Sequence, residues 1–289
     1  MVIGGRKRRR IGDDDAHTPS LRPVRLLVRT WNVFHGNANP PERHAFLEEV
    51  VRLASADEPD VLCLQELPVW SLSRLEHWSG MAAVSDVAAR PLLPPELGRE
   101  VTDLHHGLLR SAFTGQANAI LLGARVRLRD HRAVTLNPWS FRRREARRRG
   151  LGLVSRLMWA RERRVCQVVR VEEGGKTLVG GNLHATTAAD KRLADAELLR
   201  AATFVDGFAA PGEAIVLAGD FNLTMRNSHT LAELQGPEWG FRGASSHGID
   251  HILVRGAEAG PLSRWPDERR RFGGRLLSDH APEEREVVA

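Results

Sequence analysis

The sequence predicts an α/β or α+β fold, and three observations carry that reading. Apolar runs of strand length recur along the 289 residues, only a few intervening segments show helical spacing, and no internal repeat or coiled-coil heptad interrupts the pattern. A chain of this length can bury a sizeable core. No linker splits it, so one domain is expected over residues 22–289, behind a charged, aperiodic tail at 1–21 expected to be disordered.

The elements follow in order. "VRLLVRTW" (24–31) reads as a strand, and "PERHAFLEEVVRLAS" as a helix opened by prolines, with Phe46, Leu47, Val50, Val51 and Leu53 at helical spacing. "DVLCLQ" is a second strand. Pro91, Pro94, Pro95 and scattered polar residues predict irregular loop over 86–115. "NAILLG" (118–123), "VRLRDHRAVTL" (126–136), "RRVCQVVRVEE" (163–173), "KTLVGGNL" (176–183), "EAIVLAG" (213–219) and "IDHILV" (249–254) read as further strands. "DKRLADAELLRAATFVDGF" (190–208) is an amphipathic helix, and 137–164 is an arginine-rich connection read as a loop.

The net charge of +6 points to acidic partners, but only three of the basic residues are lysines (Lys7, Lys176, Lys191). An arginine skew of that kind fits coding bias as well as it fits selection for a polyanion. No apolar run reaches the length of a membrane span, and the basic start "RKRRR" precedes "IGDDDAHTPS" rather than an apolar stretch. A cytoplasmic monomer is therefore the expectation. Cys63 and Cys166 lie in separate apolar runs, which suits small buried residues rather than a disulfide or zinc framework.

Chemistry enters at the strand ends. The strands run into Asn32, Glu66, His184, and Asp220 with Asn222; "GIDHILV" starts on Asp250, and "LLSDHAP" supplies Asp279 and His280. Each has a plain structural explanation by itself: a turn carboxylate, a capping amide, a hydrogen-bonded histidine. Six segments ending alike are another matter, because neighbouring strands bring their ends into one cleft. Carboxylates and amide oxygens are hard donors that select Mg²⁺, Mn²⁺ or Ca²⁺ over zinc, and histidines beside them serve phosphate chemistry near neutral pH.

The series "TWNV", "LQE", "NLHAT", "GDFN", "GIDHILV", "SDHAP" resembles the endonuclease/exonuclease/phosphatase superfamily from about residue 25 to 285. "NAILLG" is similar to a further strand of that family. The resemblance implies a four-layer sandwich of two packed mixed β-sheets flanked by helices, and a Mg²⁺-dependent phosphodiester hydrolase. It also implies roles: Glu66 as principal metal ligand, with Asn32 and Asp279 as outer members. Asp220 aligns or deprotonates the attacking water, and Asn222 and Asn118 hold substrate. His280 stabilises the phosphoryl group, Asp250 orients His280, and His184 protonates the leaving oxygen.

Substrate class is less legible. The chain has no tyrosine, which argues against the apurinic-site endonuclease branch, and the inositol-phosphatase motif is missing. Nucleic acid leads, with a phospholipid or small phosphoester as runner-up and a catalytically silent binding module behind both. Arg142, Arg143 and Arg144 open a basic run to Arg149 that reads equally as a polynucleotide grip, a solvated loop or a contact with an anionic membrane.

Overall fold

The computed structural model describes residues 23–42, 44–104 and 113–289, so the expected tail at 1–21 lies outside the described residues. Two mixed sheets stack face to face. One has the order β11-β15-β1-β3-β5-β4, with β12 (Ser263–Arg264) also on β15; the other has the order β10-β9-β8-β7-β6. The first is built from β1 (Arg25–Asn32), β3 (Val61–Leu67), β4 (Ala82–Ala89), β5 (Gln116–Leu122), β11 (Glu258–Ala259) and β15 (Glu283–Val288). The second holds β6 (Arg127–Thr135), β7 (Val165–Glu173), β8 (Lys176–His184), β9 (Ala214–Asp220) and β10 (Asp250–Arg255). A small sheet of β2 (Ala38–Asn39), β13 (Arg271–Phe272) and β14 (Arg275–Leu277) braces one end.

β3 and β9, buried along nearly their whole length, are mostly apolar in sequence, and each sits in a parallel pair, β1 with β3 and β8 with β9. β5 is buried throughout as well, and carries Gln116 and Asn118. β6, an edge strand, carries exposed Arg127, Arg129 and Arg132 instead. Between the sheets, Val28, Cys63 and Ile120 meet Val169, Val216 and Ile252. Outside the first sheet lie α1 (Leu47–Ser55) and α2 (Leu75–Ser79), through Val50, Val51 and Trp78. Outside the second lie α6 (Arg192–Phe208) and α7 (His229–Leu234), through Leu198, Val205 and Leu231. The order helix, sheet, sheet, helix gives the four layers. No helix among the described residues is long and apolar enough to cross a membrane.

Two expected loops are structured. The stretch 86–115 contains the end of β4 and α3 (Pro95–Leu104), while 105–112 lie outside the described residues. The arginine-rich stretch folds into α4 (Trp139–Arg148) and α5 (Leu153–Arg161), rather than the loop its charge suggested. Pro138, extended at ψ 155°, starts α4, and arginine is a good helix former whatever its charge. The aromatic pair Phe141 and Trp159, ring centroids 5.9 Å apart, supplies the buried face that a reading of charge alone overlooked.

Candidate active site

The topology brings six of the chemistry-bearing segments to one edge of the two sheets. β1 and β3 run parallel and end together, with Asn32 opposite Gln65. β8 and β9 also run parallel and end together, with His184 opposite Asp220. β10 runs antiparallel to β9, so its first residue, Asp250, pairs with Asp220 at that same edge. The segment before β15 then carries Ser278, Asp279 and His280 across the opening. Ser278 Oγ donates to Asn32 O at 2.7 Å, and the buried Arg270 guanidinium donates to the carbonyls of Leu277, Ser278 and His280.

Three corner residues adopt left-handed backbone: Glu66 (φ 57°), Asn222 (φ 53°) and Ser278 (φ 58°). Non-glycine residues are rarely found there, and such strain gathers where a side chain must be aimed. At Glu66 the departure is a register shift between Leu64 and Leu67 in the β3–β5 pairing, which turns the carboxylate out of the ladder.

At the centre is Asp220, 1% exposed. Its Oδ2 accepts from Asn32 Nδ2 at 3.0 Å, and its Oδ1 accepts from the Asn222 backbone N–H at 2.9 Å. His280 Nε2 lies 3.8 Å from the same carboxylate and His184 Nε2 lies 3.5 Å away. His280 Nδ1 makes a 2.8 Å hydrogen bond with Asp250 Oδ2. Asn32 also donates to Glu66 Oε1 at 3.2 Å, with His184 Nε2 3.4 Å from that oxygen and His35 Nε2 3.9 Å from Glu66 Oε2. The Asn222 amide donates to Ala185 O at 3.0 Å, which ties the ends of β8 and β9 together.

Burial sets the electrostatics. It raises the Asp220 carboxyl to about 7, helped by the Asp250 charge and opposed by His280. Burial likewise raises Glu66, against the pull of Arg164, Asn32 and His280. For His280, burial alone acts downward, but the hydrogen bond and charge of Asp250, with Asp220 and Asp279, lift it to about 10. His184 goes the other way, held well below its ordinary 6.5 by burial first and then by the Arg164, His280 and His35 charges. Of the two histidines that flank Asp220, His280 is thus an imidazolium and His184 a neutral imidazole at neutral pH.

Asp220, Asp250 and His280 offer atoms within 4.8 Å of one another, a spacing that can hold a metal ion. An imidazolium has no free lone pair, however, so His280 at about 10 is a donor rather than a ligand near neutral pH. The Glu66 carboxylate, with the Asp279 carboxylate close by, offers the oxygen donors that suit a hard cation better. Asp279 is exposed and near enough to raise the Glu66 carboxyl, and Asp250 Oδ1 is buried with no hydrogen-bond partner among the described residues. A site crowded with carboxylates and one unmatched oxygen fits a divalent ion.

Other predicted residues sit elsewhere. Asn118 is buried on β5, and its amide donates to Val165 O at 3.3 Å, linking the two sheets. Arg142, Arg143 and Arg144 lie on α4, where Arg142 donates to Trp159 O and Arg144 pairs with Glu145. Sequence reasoning missed Arg164, which is 4% exposed, with Nη1 2.9 Å from His184 Nδ1 and 3.2 Å from Nε2, and Nη2 2.6 Å from Glu162. Gln116, 3.3 Å from His184 Nδ1, was missed too. It opens a strand on a polar residue, the same signal that marked Asp250. Arg164 was masked by the arginines around it.

A family model described as the Endonuclease/Exonuclease/phosphatase family matches residues 30–280. Solved structures with the same fold include a humanized D. rerio TDP2 carrying 14 mutations, at 15% identity, TM-score 0.60, with 91% of this chain and 98% of that one covered. A functionally unknown conserved protein from Enterococcus faecalis V583 matches at 15% identity and TM-score 0.62, covering 91% and 99%. An endonuclease/exonuclease/phosphatase from Beutenbergia cavernae DSM 12333 matches at 16% identity and TM-score 0.62, covering 91% and 71%. A search of curated proteins gave no match.

Proposed function

The chain belongs to the endonuclease/exonuclease/phosphatase family, and from that premise we propose that it is a divalent-metal-dependent phosphodiester hydrolase, with nucleic acid as the leading substrate. The observation that carries the reading is the His280–Asp250 pair set against a buried Asp220 whose pKa lies at about 7. A base poised near neutrality beside a permanent imidazolium is what phosphoryl hydrolysis asks of a protein.

In the proposed reaction, Asp220 takes the proton of a water that attacks phosphorus. The new P–O bond forms opposite the bond to the leaving oxygen, which then breaks. His280, kept protonated and oriented by Asp250, faces the negative charge building on the phosphoryl oxygens. His184 is neutral, so it serves the leaving oxygen as a hydrogen-bond donor rather than as a cation, and the departing oxygen takes its proton from solvent. Glu66, with Asn32 and Asp279, would hold one Mg²⁺, Mn²⁺ or Ca²⁺ ion, which supplies positive charge for the phosphoryl and leaving oxygens. Asn32 also fixes the angle between Glu66 and Asp220, since its one amide nitrogen donates to both.

The test is turnover of a generic phosphodiester, plasmid DNA, single-stranded RNA, sphingomyelin and inositol phosphates, each with Mg²⁺ and with chelator. Metal-dependent cleavage of DNA or RNA supports the proposal. Cleavage of lipid alone removes the nucleic-acid reading, and no turnover of any substrate leaves a binding module.

A further inference from the structure

The α4–α5 pair presents an apolar surface that the core does not use. Leu153, Val154 and Leu157 on α5 are 72%, 75% and 62% exposed, and Met158 is exposed beside them. Their spacing puts them on one helix face, opposite Trp159, which packs into the protein at 1% exposure. On α4, Trp139 is 66% exposed with the Arg143 guanidinium 5.3 Å over its ring. Between the two helices runs a groove lined by Trp139, Arg142, Arg143, Arg147 and Arg156. Exposed aliphatic side chains contiguous with arginines and an amphipathic tryptophan are not explained by folding, which leaves them in water.

We propose that this pair of helices docks the protein on an anionic lipid bilayer. Charge complementarity decides the occupant: the arginines match anionic headgroups, while Leu153, Val154 and Leu157 match the acyl boundary just beneath them. A polynucleotide would satisfy the arginines and leave three aliphatic residues without stacking or hydrogen-bond partners. A second copy of the chain would set arginines against arginines.

The placement makes docking consequential. β6 leads into α4 and β7 leaves α5 at the sheet edge that carries the catalytic cluster, because Cys166 at the start of β7 pairs with Leu183, one residue before His184. Asn137 accepts from Arg164 N at 2.9 Å, and Ser155 Oγ donates to Asp190 in the segment after β8 at 2.7 Å. The docking face is thus fastened to the rim of the opening, and a bilayer bound there lies beside it. The inference concerns where the protein sits and does not depend on which phosphodiester it cleaves.

The experiment is co-sedimentation of the full chain with vesicles of phosphatidylcholine alone and of phosphatidylcholine with phosphatidylserine, at low and high salt. The wild type sediments with the anionic vesicles, and salt weakens this. The variant Leu153→Ser/Val154→Ser/Leu157→Ser partitions about tenfold less, and Arg147→Gln/Arg156→Gln loses the preference for anionic lipid. Unchanged melting temperatures establish that both variants fold, as expected for exposed positions. Absence of wild-type sedimentation overturns the proposal, and so does equal sedimentation of wild type and the serine variant. Loss in the serine variant of DNA binding, or of a dimer, with vesicle binding intact also overturns it and assigns the face to that partner.

Discussion

Asp220 is a carboxylate held where ionisation is unfavourable. Its pKa of about 7, against an ordinary 3.8, means that the folded chain disfavours the charged form relative to the unfolded chain. The cost to stability is absent below pH 3.8, grows as pH rises through the interval and is full above 7. Asp220→Asn, measured in chelator, should therefore raise the melting temperature at about pH 8, with the gain shrinking toward about pH 4. The same change should lower turnover by at least about 10²–10³, the usual loss when one transition-state group is removed. A variant that keeps its activity would end Asp220's role as base. Arg164→Met bears on His184. Without the guanidinium against the ring, less holds its pKa down, so the His184 ring, followed by NMR, should titrate at higher pH and kcat/KM should fall by about tenfold or more. An unmoved His184 titration would show that Arg164 only packs.

At the scale of elements, the β8–β9 pair explains why a glycine precedes the central aspartate. Gly219 has φ +135°, and a Cβ there would lie 2.0 Å from Leu183 O in the parallel neighbour. Gly219→Ala must separate the two strands whose ends carry His184 and Asp220. The expected cost is more than about 2 kcal/mol, with activity lost beyond what the melting temperature explains. Urea unfolding beside single-turnover rates checks both. The "GD" of the motif was legible in sequence, but its reason lay in the strand alongside. The helices α4 and α5 teach the opposite lesson: Phe141 and Trp159, one on each helix, were present in the sequence, but arginines outnumbered them and their pairing is seen only in the fold.

For the whole molecule, the two sheets converge on a cluster of Glu66, Asp220, Asp250 and Asp279 that repels itself. A ligand binding only the folded state stabilises by mass action, by about 2.7 kcal/mol at a hundredfold excess over Kd. Mg²⁺ should therefore raise the wild-type melting temperature, with a much smaller rise in Glu66→Gln. Equal shifts in the two would move the cation away from Glu66. The cross-sheet hydrogen bonds of Gln65 and Asn182, 2.8 Å apart and both buried, hold the sheets in register behind the site. Neither was picked out from sequence, since a polar residue inside an apolar strand looks like a defect until its partner is seen on the facing sheet.

By itself the amino-acid order determined which runs become strands, that polar ligand-type residues mark the ends of six segments, and the resemblance that implied two packed sheets. Period-two and period-3.6 patterning and strand-end chemistry are local, so they can be read along the chain. Only the tertiary structure decided that His280 is the cation and His184 the neutral ring, because both are histidines at strand mouths. Their difference comes from Asp250 on one side and Arg164 on the other. Charge and burial at a site act through space, between residues that no spacing along the chain connects.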